Sequence, residues 1–450
     1  PAVIRITGHG IRSVSPTTIE AMESLGTNRR QMLTKVQLPL AKRTIIVGVN
    51  QTIMAALSMS TIAAFVDGPG LGKPVIKALE SLDVGTAATA GLCIVIMAIM
   101  LDRVTTAASV RSDAIPSDTS PRLIWALRAA GVVAAGVCVY LSRQYIDLAQ
   151  FPKNPDLGTP FSKFADNVSS FFTDNISGAT NSIKDGMTYG LLNPFQTLLA
   201  QSPWWLVAIV LLALSALLGG IRSLLTSIVC IAVVLSVGLW QDSMVTLTMT
   251  ITATILTMIL ALVFGVWMAQ SRAVDLTLRP VLDAAQVVPP FVYLVPALAL
   301  FGATRFTAIV AAIVYASPVA IKLVCDAIRE VSPTVVEAAR SAGSSRWQII
   351  FKVQLPMARK GIALATNQGL LYVFAMVVIG GLVGAGALGY LVYAGFTQGN
   401  LFGKGLAAGI AIVALAIMLD RMAQGSSGTS VRRAQTKGKS RFSLMPPRWL

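Results

Sequence analysis

Long apolar segments along most of the chain are the feature that most limits what this sequence can fold into. Of its 450 residues, 54% are hydrophobic and 12% are charged, whereas about 25% are charged in an ordinary soluble domain. A helix of roughly 20 apolar residues crosses the hydrocarbon core of a bilayer, where helices satisfy their own backbone. We therefore predict an all-α, polytopic transmembrane bundle with spanning segments at 44–66, 86–101, 123–141, 203–220, 224–241, 244–270, 291–302, 307–325, 361–383 and 405–420.

The basic residues indicate a membrane surface and not a nucleic acid as the partner. The formal net charge is +16, but lysine and arginine are concentrated at the ends of apolar segments. Such clusters mark the cytoplasmic side of membrane proteins. The loop around Glu337 and the basic tail at 422–450 are accordingly predicted to be cytoplasmic, and the lipid bilayer is the predicted surroundings, with no nucleic acid bound.

Residue types that carry metal or redox chemistry are sparse. The chain has one histidine and four cysteines, and no two of the cysteines are close in sequence, so no metal-ligand or disulfide spacing is present. The segment 67–74 has glycines and a lysine but departs from a phosphate-binding loop at its first glycine and after the lysine. We expect no cofactor, no metal and no enzyme activity, with ATP hydrolysis belonging to another chain.

An internal repeat organises the chain. Residues 15–51 align without a gap with 332–368 at an offset of 317, and 18 of the 37 aligned positions are identical. A match of that length indicates a duplicated unit. The residues before Pro318 in the second copy have no counterpart before Pro1, so we expect a first copy truncated at its N-terminus.

The repeat predicts four parts: 1–103 as the end of a first unit, 104–202 as a linker, 203–421 as a complete second unit, and the tail. The linker is expected to hold one transmembrane helix and an external amphipathic segment, because apolar residues recur between Phe161 and Ile176 at helical steps. That segment either lies on the membrane surface or packs on the bundle. Eight spanning segments separate the repeated loops, so the copies are predicted to be parallel, unlike inverted-repeat transporters.

Each copy contains what we name a repeated loop, at 15–39 in the first copy and at 332–356 in the second. In the second loop, Ser332 and Pro333 suit the start of a short helix. Gly343 suits its end, because glycine tolerates positive φ. A second helical stretch is expected from Trp347 toward Leu355, with a break at Pro356, and the first loop repeats this plan.

The motif in these loops is specific for one class of protein. The sequence EAARSAG, followed by a spacer that ends in QLP, resembles the EAA loop of ABC importer permeases; the first copy has Met22 in place of the third motif residue. The strings KVQLPLA, GVNQ and ALSM of the first copy and KVQLPMA and ATNQ of the second are similar to glycine betaine/proline-type permeases. The resemblance implies the type I ABC importer permease fold, as a tandem parallel repeat, in the cytoplasmic (inner) membrane of a prokaryote.

The same resemblance implies how the chain works. Each loop would form a coupling helix that docks on a cytosolic ATP-binding cassette ATPase, so that two loops engage two ATPase copies. An extracytoplasmic substrate-binding protein would deliver the solute. The coupling residues implied are Glu20, Ala21, Gly26, Pro39, Glu337, Ala338, Ala339, Gly343 and Pro356.

Two polar pairs lie inside predicted membrane helices. Asn50 and Gln51 in the first copy match Asn367 and Gln368 in the second. Polar groups at this depth either line a pathway or bond to neighbouring helices, and both interpretations stay open. Asp275, Arg279 and Asp283 lie in a cytoplasmic connection, where a solvated or gate-side structural role is expected.

The predicted function is import of glycine betaine, proline or a related compatible solute. Within the importer class, choline, methionine or an oxyanion are alternative substrates. Outside it, a secondary transporter with parallel halves would need no ATPase, and a membrane scaffold would transport nothing. Dependence on a nucleotide-hydrolysing partner distinguishes the first hypothesis from the other two.

Overall fold

The computed structural model of the protein describes residues 2–66, 68–113, 121–145, 156 and 158–442, and every regular element in these residues is helical. Helices of nine residues or more are numbered in chain order. They are α1 (Ala2–Arg12), α2 (Pro16–Ser24), α3 (Leu38–Ile62), α4 (Gly72–Glu80), α5 (Val84–Asp113), α6 (Pro121–Gln144), α7 (Gly158–Met187), α8 (Trp204–Val237), α9 (Trp240–Gln270), α10 (Arg272–Val287), α11 (Pro290–Phe301), α12 (Arg305–Arg329), α13 (Pro333–Ser341), α14 (Arg359–Ile379), α15 (Ala387–Thr397) and α16 (Phe402–Phe442).

The helices fall into two compact units. Unit 1 comprises Pro1–Met59 and Ile96–Phe164, and unit 2 comprises Ser60–Val95 and Ala165–Leu450. The four parts predicted from the repeat follow sequence similarity and not contacts, and they stay predictions. The predicted tail begins within α16, and its last residues, 443–450, lie outside the described residues.

Six of the described helices are long and apolar enough to cross a membrane: α8, α9, α12, α14 with the turn that follows it, and parts of α5 and α16. The predicted segments at 44–66 and 123–141 correspond to shorter apolar stretches, Thr44–Leu57 and Ala129–Gln144. Within the described residues, six helices have the length and hydropathy of a span, or seven if α10 and α11 together count as one, compared with ten predicted segments. The predicted all-α, multi-pass architecture is confirmed.

Helix α8 holds two of the predicted segments and is folded back on itself. Gly220 has φ 69° and ψ −166°, far from helical values. The hydroxyl of Ser215 lies 2.9 Å from that of Ser223 and 2.7 Å from that of Ser227. Twelve residues of straight helix would separate Ser215 and Ser227 by about 18 Å, so the chain reverses at Gly220.

A sharp break lies between α10 and α11, which are bent by 104° and satisfy the length and hydropathy test for a span only when taken together. Beyond Gly302, which has φ 67°, the chain turns into α12. The rings of Phe301 and Phe306 meet edge to face at 5.0 Å. Residues 291–302 therefore form a helical hairpin with 307–325.

The linker helix α7 places Phe164 and Phe171 at 62% and 61% exposure, and none of its residues is buried. The predicted amphipathic segment is thus a helix. Its apolar side chains are not packed on a bundle in the structure.

Antiparallel packing of α12 and α14 forms the centre of unit 2. A Cβ atom placed on Gly361 would lie 2.3 Å from Cβ of Ala327, and one placed on Gly380 would lie 2.4 Å from Cβ of Ala308. Small residues allow helix backbones in a membrane to approach this closely. The contacts bring the start of α14 beside the end of α12, and the second repeated loop joins those two ends.

Unit 1 has the same kind of contact, but the glycine and the larger residue are on opposite helices compared with unit 2. At the offset of the repeat, Gly10 corresponds to Ala327 and Thr44 corresponds to Gly361. A Cβ atom placed on Gly10 would lie 2.9 Å from Cβ of Thr44. Helices α1 and α3 therefore pack at the position where α12 and α14 pack, but the glycine has moved to the opposite helix.

This exchange predicts a compensating pair. Gly361→Thr should lower the free energy of unfolding of the chain by about 1–3 kcal/mol, because the added atoms overlap Ala327. Adding Ala327→Gly recreates the pair found in unit 1 and should restore most of the loss, which heat-induced aggregation of the detergent-solubilised full chain would measure.

Gly409→Thr in α16 is the control, because a Cβ atom there meets nothing within 4 Å. We expect only the small helix-propensity effect of a β-branched residue at that site. A double variant that loses as much as the two single variants added together would contradict the direct contact.

Candidate functional site

The two repeated loops fold alike. Their helices α2 and α13 have nine residues each and begin with proline at the first helical position. Gly26 and Gly343, each with φ 79°, follow the two helices as predicted. Only glycine adopts that conformation without strain, so the motif glycine fixes where the chain leaves each helix.

The start of these helices differs from the expected side-chain cap. The hydroxyls of Ser15 and Ser332 bond to those of Thr17 and Thr334, at 2.5 Å and 2.7 Å, and neither caps a backbone amide. Proline at the first helical position supplies no amide, which removes one of the donors that a cap would satisfy.

Reciprocal capping boxes instead open the next helical turns, which follow the motif glycines. In the first loop, Asn28 and Gln31 each accept from the other's backbone amide. Ser345 and Gln348 do the same in the second loop. The box fixes the start of the stretch that leads back into the bundle.

The loops differ where their prolines lie. Both continue through a π-helical stretch, Met32–Gln37 in the first and Ile349–Gln354 in the second. Pro39 is the second residue of α3, which continues directly from the π-helical stretch and runs on without the break expected there. After Pro356 the chain breaks once, at Ala358, before α14.

Both short helices are open to solvent. No residue of α2 or α13 is buried, and Glu20, Ala21, Glu337 and Ala338 are exposed, while Ala339 is half-buried. Within the part of the chain that the structure describes, neither Glu20 nor Glu337 makes an ion pair. Each short helix therefore offers a partner an exposed surface with small residues and a carboxylate, Glu337 on α13 and Glu20 beside Glu23 on α2.

The second repeated loop is tied to the helices of unit 2. Gln270 at the end of α9 donates to the side chain of Gln354 at 2.6 Å. Arg329 at the end of α12 donates to the carbonyl of Met268 at 2.9 Å. A cavity of about 510 Å³ lies beside α13 and is lined by Gln270, Val336, Arg340 and Arg346 among others. A force on α13 would thus be carried directly to α9 and α12.

Ion pairs join α10 to the same end of α12. Asp275 lies 2.9 Å from both Arg279 and Arg329 and is 13% exposed. Arg279 also reaches Asp326 at 3.2 Å. The predicted cytoplasmic connection is therefore a network that fixes α10 on α12.

A second polar group lies further along α12. Lys322 pairs with Asp283 and donates to Gln286 at 3.2 Å, both on α10. Three carboxylates and three cations thus face one another between these two helices, and each charge has an opposite partner.

The two matched polar pairs are placed differently. Asn50 donates to Asp102 at 2.9 Å and accepts from Thr105 at 2.6 Å, which ties α3 to α5 within unit 1. Asn367 is 6% exposed, and its side-chain oxygen has no partner among the described residues. Gln368 is half-buried, and the side chain of Gln51 lies outside the described residues. The contacts of Asn50 favour helix packing, and a place on the pathway stays a prediction for all four.

Sequence reasoning missed a group of three tyrosines. Tyr315 lies between Tyr293 and Tyr372, with ring centroids 5.6 Å and 5.3 Å away. A signal was present for two of them, because tyrosine normally concentrates at the ends of membrane helices, whereas Tyr315 and Tyr372 lie near the middle of their predicted segments; Tyr293 lies near the start of 291–302. Nothing in the sequence indicated that the three would meet.

Comparison with known proteins identifies relatives that match most of the chain and relatives that match about half of it. It is 29% identical over 437 residues to the trimethylamine N-oxide transport system permease protein TmoV of Pelagibacter ubique (strain HTCC1062), covering 94% of this chain and 60% of that protein. It is 37% identical over 241 residues to the glycine betaine/carnitine transport permease protein GbuB of Listeria monocytogenes, covering 52% of this chain and 84% of that protein. The chain thus spans less than two thirds of the length of the longer relative.

Among solved structures, a chain of the MetNI methionine ABC transporter in an inward-facing conformation matches 43% of this chain and 95% of its own length, with 24% identity and a TM-score of 0.38. The model of the family described as "binding-protein-dependent transport system inner membrane component" matches residues 1–111 and 261–426, which include both repeated loops. Because that match covers more than half of the sequence, the chain belongs to the family of binding-protein-dependent transport system inner membrane components.

Proposed function

We propose that this chain is the membrane-spanning permease of an ATP-driven importer for glycine betaine, proline betaine and related methylated amines. It would form the translocation path and bind two cytosolic ATPase subunits through α2 and α13. A separate substrate-binding protein on the other side of the membrane would deliver the solute.

One observation carries the coupling role: the same exposed nine-residue helix occurs twice, once in each copy of the repeat, with a free glutamate at the same place. Backbones can approach closely where side chains are as small as alanine. Burying the glutamate in a partner requires a basic group opposite it, because an unpaired buried charge is costly. An ordinary solvated loop would need no such duplication of sequence and geometry.

The connection to the bundle supports rigid-body coupling. Gln270 at the end of α9 donates to Gln354 of the second repeated loop, and Arg329 at the end of α12 donates to Met268 of α9, so the loop is bonded to α9 and α9 is bonded to α12. Closure of two ATPase subunits would then move whole helices and not the loop alone, as in hinge and shear transitions.

The substrate class rests on the relatives. GbuB is a glycine betaine/carnitine permease by name, and TmoV is a trimethylamine N-oxide permease by name. The molecules in these names share methyl groups on a positively charged nitrogen. Glycine betaine is the substrate that we propose, and trimethylamine N-oxide is the alternative.

Charge reversal on both coupling helices tests the partner. We expect that Glu20→Lys with Glu337→Lys abolishes copurification of the cognate ATPase with the tagged full-length chain in mild detergent. The reversed charge would face the partner's basic group, and like charges at close range cost several kcal/mol.

Glu23→Arg is the matched control, because it lies on the same α2 helix and the second copy has Arg340 at that position. It should leave copurification unchanged. Retention of the ATPase by the double charge reversal, at wild-type yield, would remove the coupling role from both glutamates.

Uptake tests the substrate. Proteoliposomes that contain the full-length chain with its ATPase and binding protein should accumulate labelled glycine betaine only when ATP is present on the side of the membrane that carries the ATPase. Unlabelled proline betaine should compete with this uptake. Stronger uptake of labelled trimethylamine N-oxide would replace glycine betaine by the alternative. Uptake of either solute without ATP would favour a secondary transporter.

A further inference from the structure

Three tyrosine rings in unit 2 form a compact, partly open group. Tyr315 is flanked by Tyr293 at 5.6 Å and by Tyr372 at 5.3 Å between ring centroids, with interplanar angles of 58° and 37°. All three side chains are half-buried, so part of each ring is accessible. The hydroxyl of Tyr293 donates to the carbonyl of Ala285 and so holds that ring in place.

The group, here named the tyrosine cluster, lies deep along its helices. Tyr315 is 10 residues from the first residue of α12 and 14 from the last. Tyr372 lies 13 residues from the start of α14 and 7 from its end. Tyr293 comes three residues after the start of α11, just past the 104° break. Broken helices near the middle of a bilayer are a recurrent setting for transport sites.

A polar stripe leads from the cluster toward the end of α12 that joins the second repeated loop. Tyr315, Lys322 and Arg329 are spaced by seven residues, which places them on one face of α12 about 10 Å apart. Lys322 is paired with Asp283, and Arg329 with Asp275. On α14, Gln368 lies one turn before Tyr372 and on the same face.

We propose that the tyrosine cluster is a binding site for the methylated ammonium group of the solute within the membrane-embedded permease. This inference rests on the proposed function and names where in unit 2 the cation is held during passage. The faces of aromatic rings attract cations whose centres lie within about 6 Å of the ring centroid. Neighbouring rings of the cluster touch one another, with centroids 5.6 Å and 5.3 Å apart, so a trimethylammonium group would lie against the part of the ring surfaces that stays accessible.

The cluster suits this ligand better than a metal ion or a primary amine. A quaternary ammonium group donates no hydrogen bond, so ring faces can replace part of its hydration without a carboxylate. Each carboxylate of the nearby stripe already has a cationic partner. Those neutralised pairs leave no net charge to trap a zwitterion on its way through.

In the first copy of the repeat, Ala55 occupies the position that corresponds to Tyr372, so the ring that Tyr372 contributes has no counterpart at that position in unit 1.

Two double variants test the site: one removes the aromatic rings, and the other removes only their hydroxyl groups. Tyr315→Leu with Tyr372→Leu should lower the maximal rate of ATP-driven glycine betaine uptake by about tenfold, since a desolvated cation–π contact is worth about that factor. Tyr315→Phe with Tyr372→Phe retains the ring faces and should keep most of the uptake. Stimulation of the ATPase by the loaded binding protein should be unchanged in both, so the leucine variant hydrolyses more ATP per solute moved.

Tyr390→Leu is the matched control, because Tyr390 is 45% exposed and lies outside the cluster. It should transport as the wild type does. Wild-type uptake by the leucine variant, an equal loss in the phenylalanine variant, or a parallel fall of uptake and ATPase stimulation would each overturn the site and indicate a packing role.

A binding measurement separates failure of the site from failure of the proposed function. Saturation-transfer NMR on the methyl signal of glycine betaine, with the purified full-length chain and no binding protein, should show transfer in the wild type and the phenylalanine variant and none in the leucine variant. Saturation transfer without any ATP-driven uptake would contradict the importer function but not the site. Uptake without saturation transfer, or saturation transfer in all variants, would contradict the site but not the importer function.

Discussion

Close contact between α12 and α14 is the interaction on which the rest of unit 2 depends. Helices in a bilayer gain little from burying apolar surface against each other, because lipid tails are equally apolar, so packing has to come from tight backbone approach. Gly361 against Ala327 and Gly380 against Ala308 provide that approach at both ends of the pair. The contact sets the separation of the two helices that flank α13, and it fixes Tyr315 and Tyr372 within ring contact.

Charge pairing allows polar groups to lie between helices that are otherwise apolar. Asp275, at 13% exposure, is held by two arginines, and Lys322 is held by Asp283. Because Asp275 has two partners, removing one arginine leaves it paired, and the pair of Lys322 with Asp283 is screened by solvent, since Asp283 is 53% exposed. The same pairs orient α10, and α10 sets the direction in which the chain enters the 104° break before α11.

Local features of the molecule were predictable, and features that depend on distant contacts were not. Apolar length predicted most membrane helices, and motif spacing predicted α2 and α13 with their terminal glycines, because these depend on neighbouring residues. At 44–66 and 123–141 the apolar stretches among the described residues are Thr44–Leu57 and Ala129–Gln144, which are shorter than the predicted segments, although α3 and α6 themselves have 25 and 24 residues.

The candidate site divides in the same way. The exposed motif residues followed from the repeat, whereas the bond from Asn50 to Asp102 joins residues 52 positions apart. The tyrosine cluster forms only when three separate helices come together. The pattern of residues within one segment cannot predict such a contact. Pro39 and Pro356 lie in matching strings and each follows a π-helical stretch, yet only Pro356 is followed by a break, at Ala358.

The exchanged sizes in the two copies bear on how a duplicated membrane protein assembles correctly. If α1 paired with α14, Gly10 would face Gly361 and leave a gap; if α12 paired with α3, Ala327 would face Thr44 and overlap it. Both wrong pairings are less stable than the observed pairings of α1 with α3 and of α12 with α14. Pairing α1 with α14 would leave a void, and pairing α12 with α3 would cause a clash. Two helix pairs that began as identical sequences thus carry complementary surfaces that sort them as they insert, so that similarity between the copies does not scramble the protein.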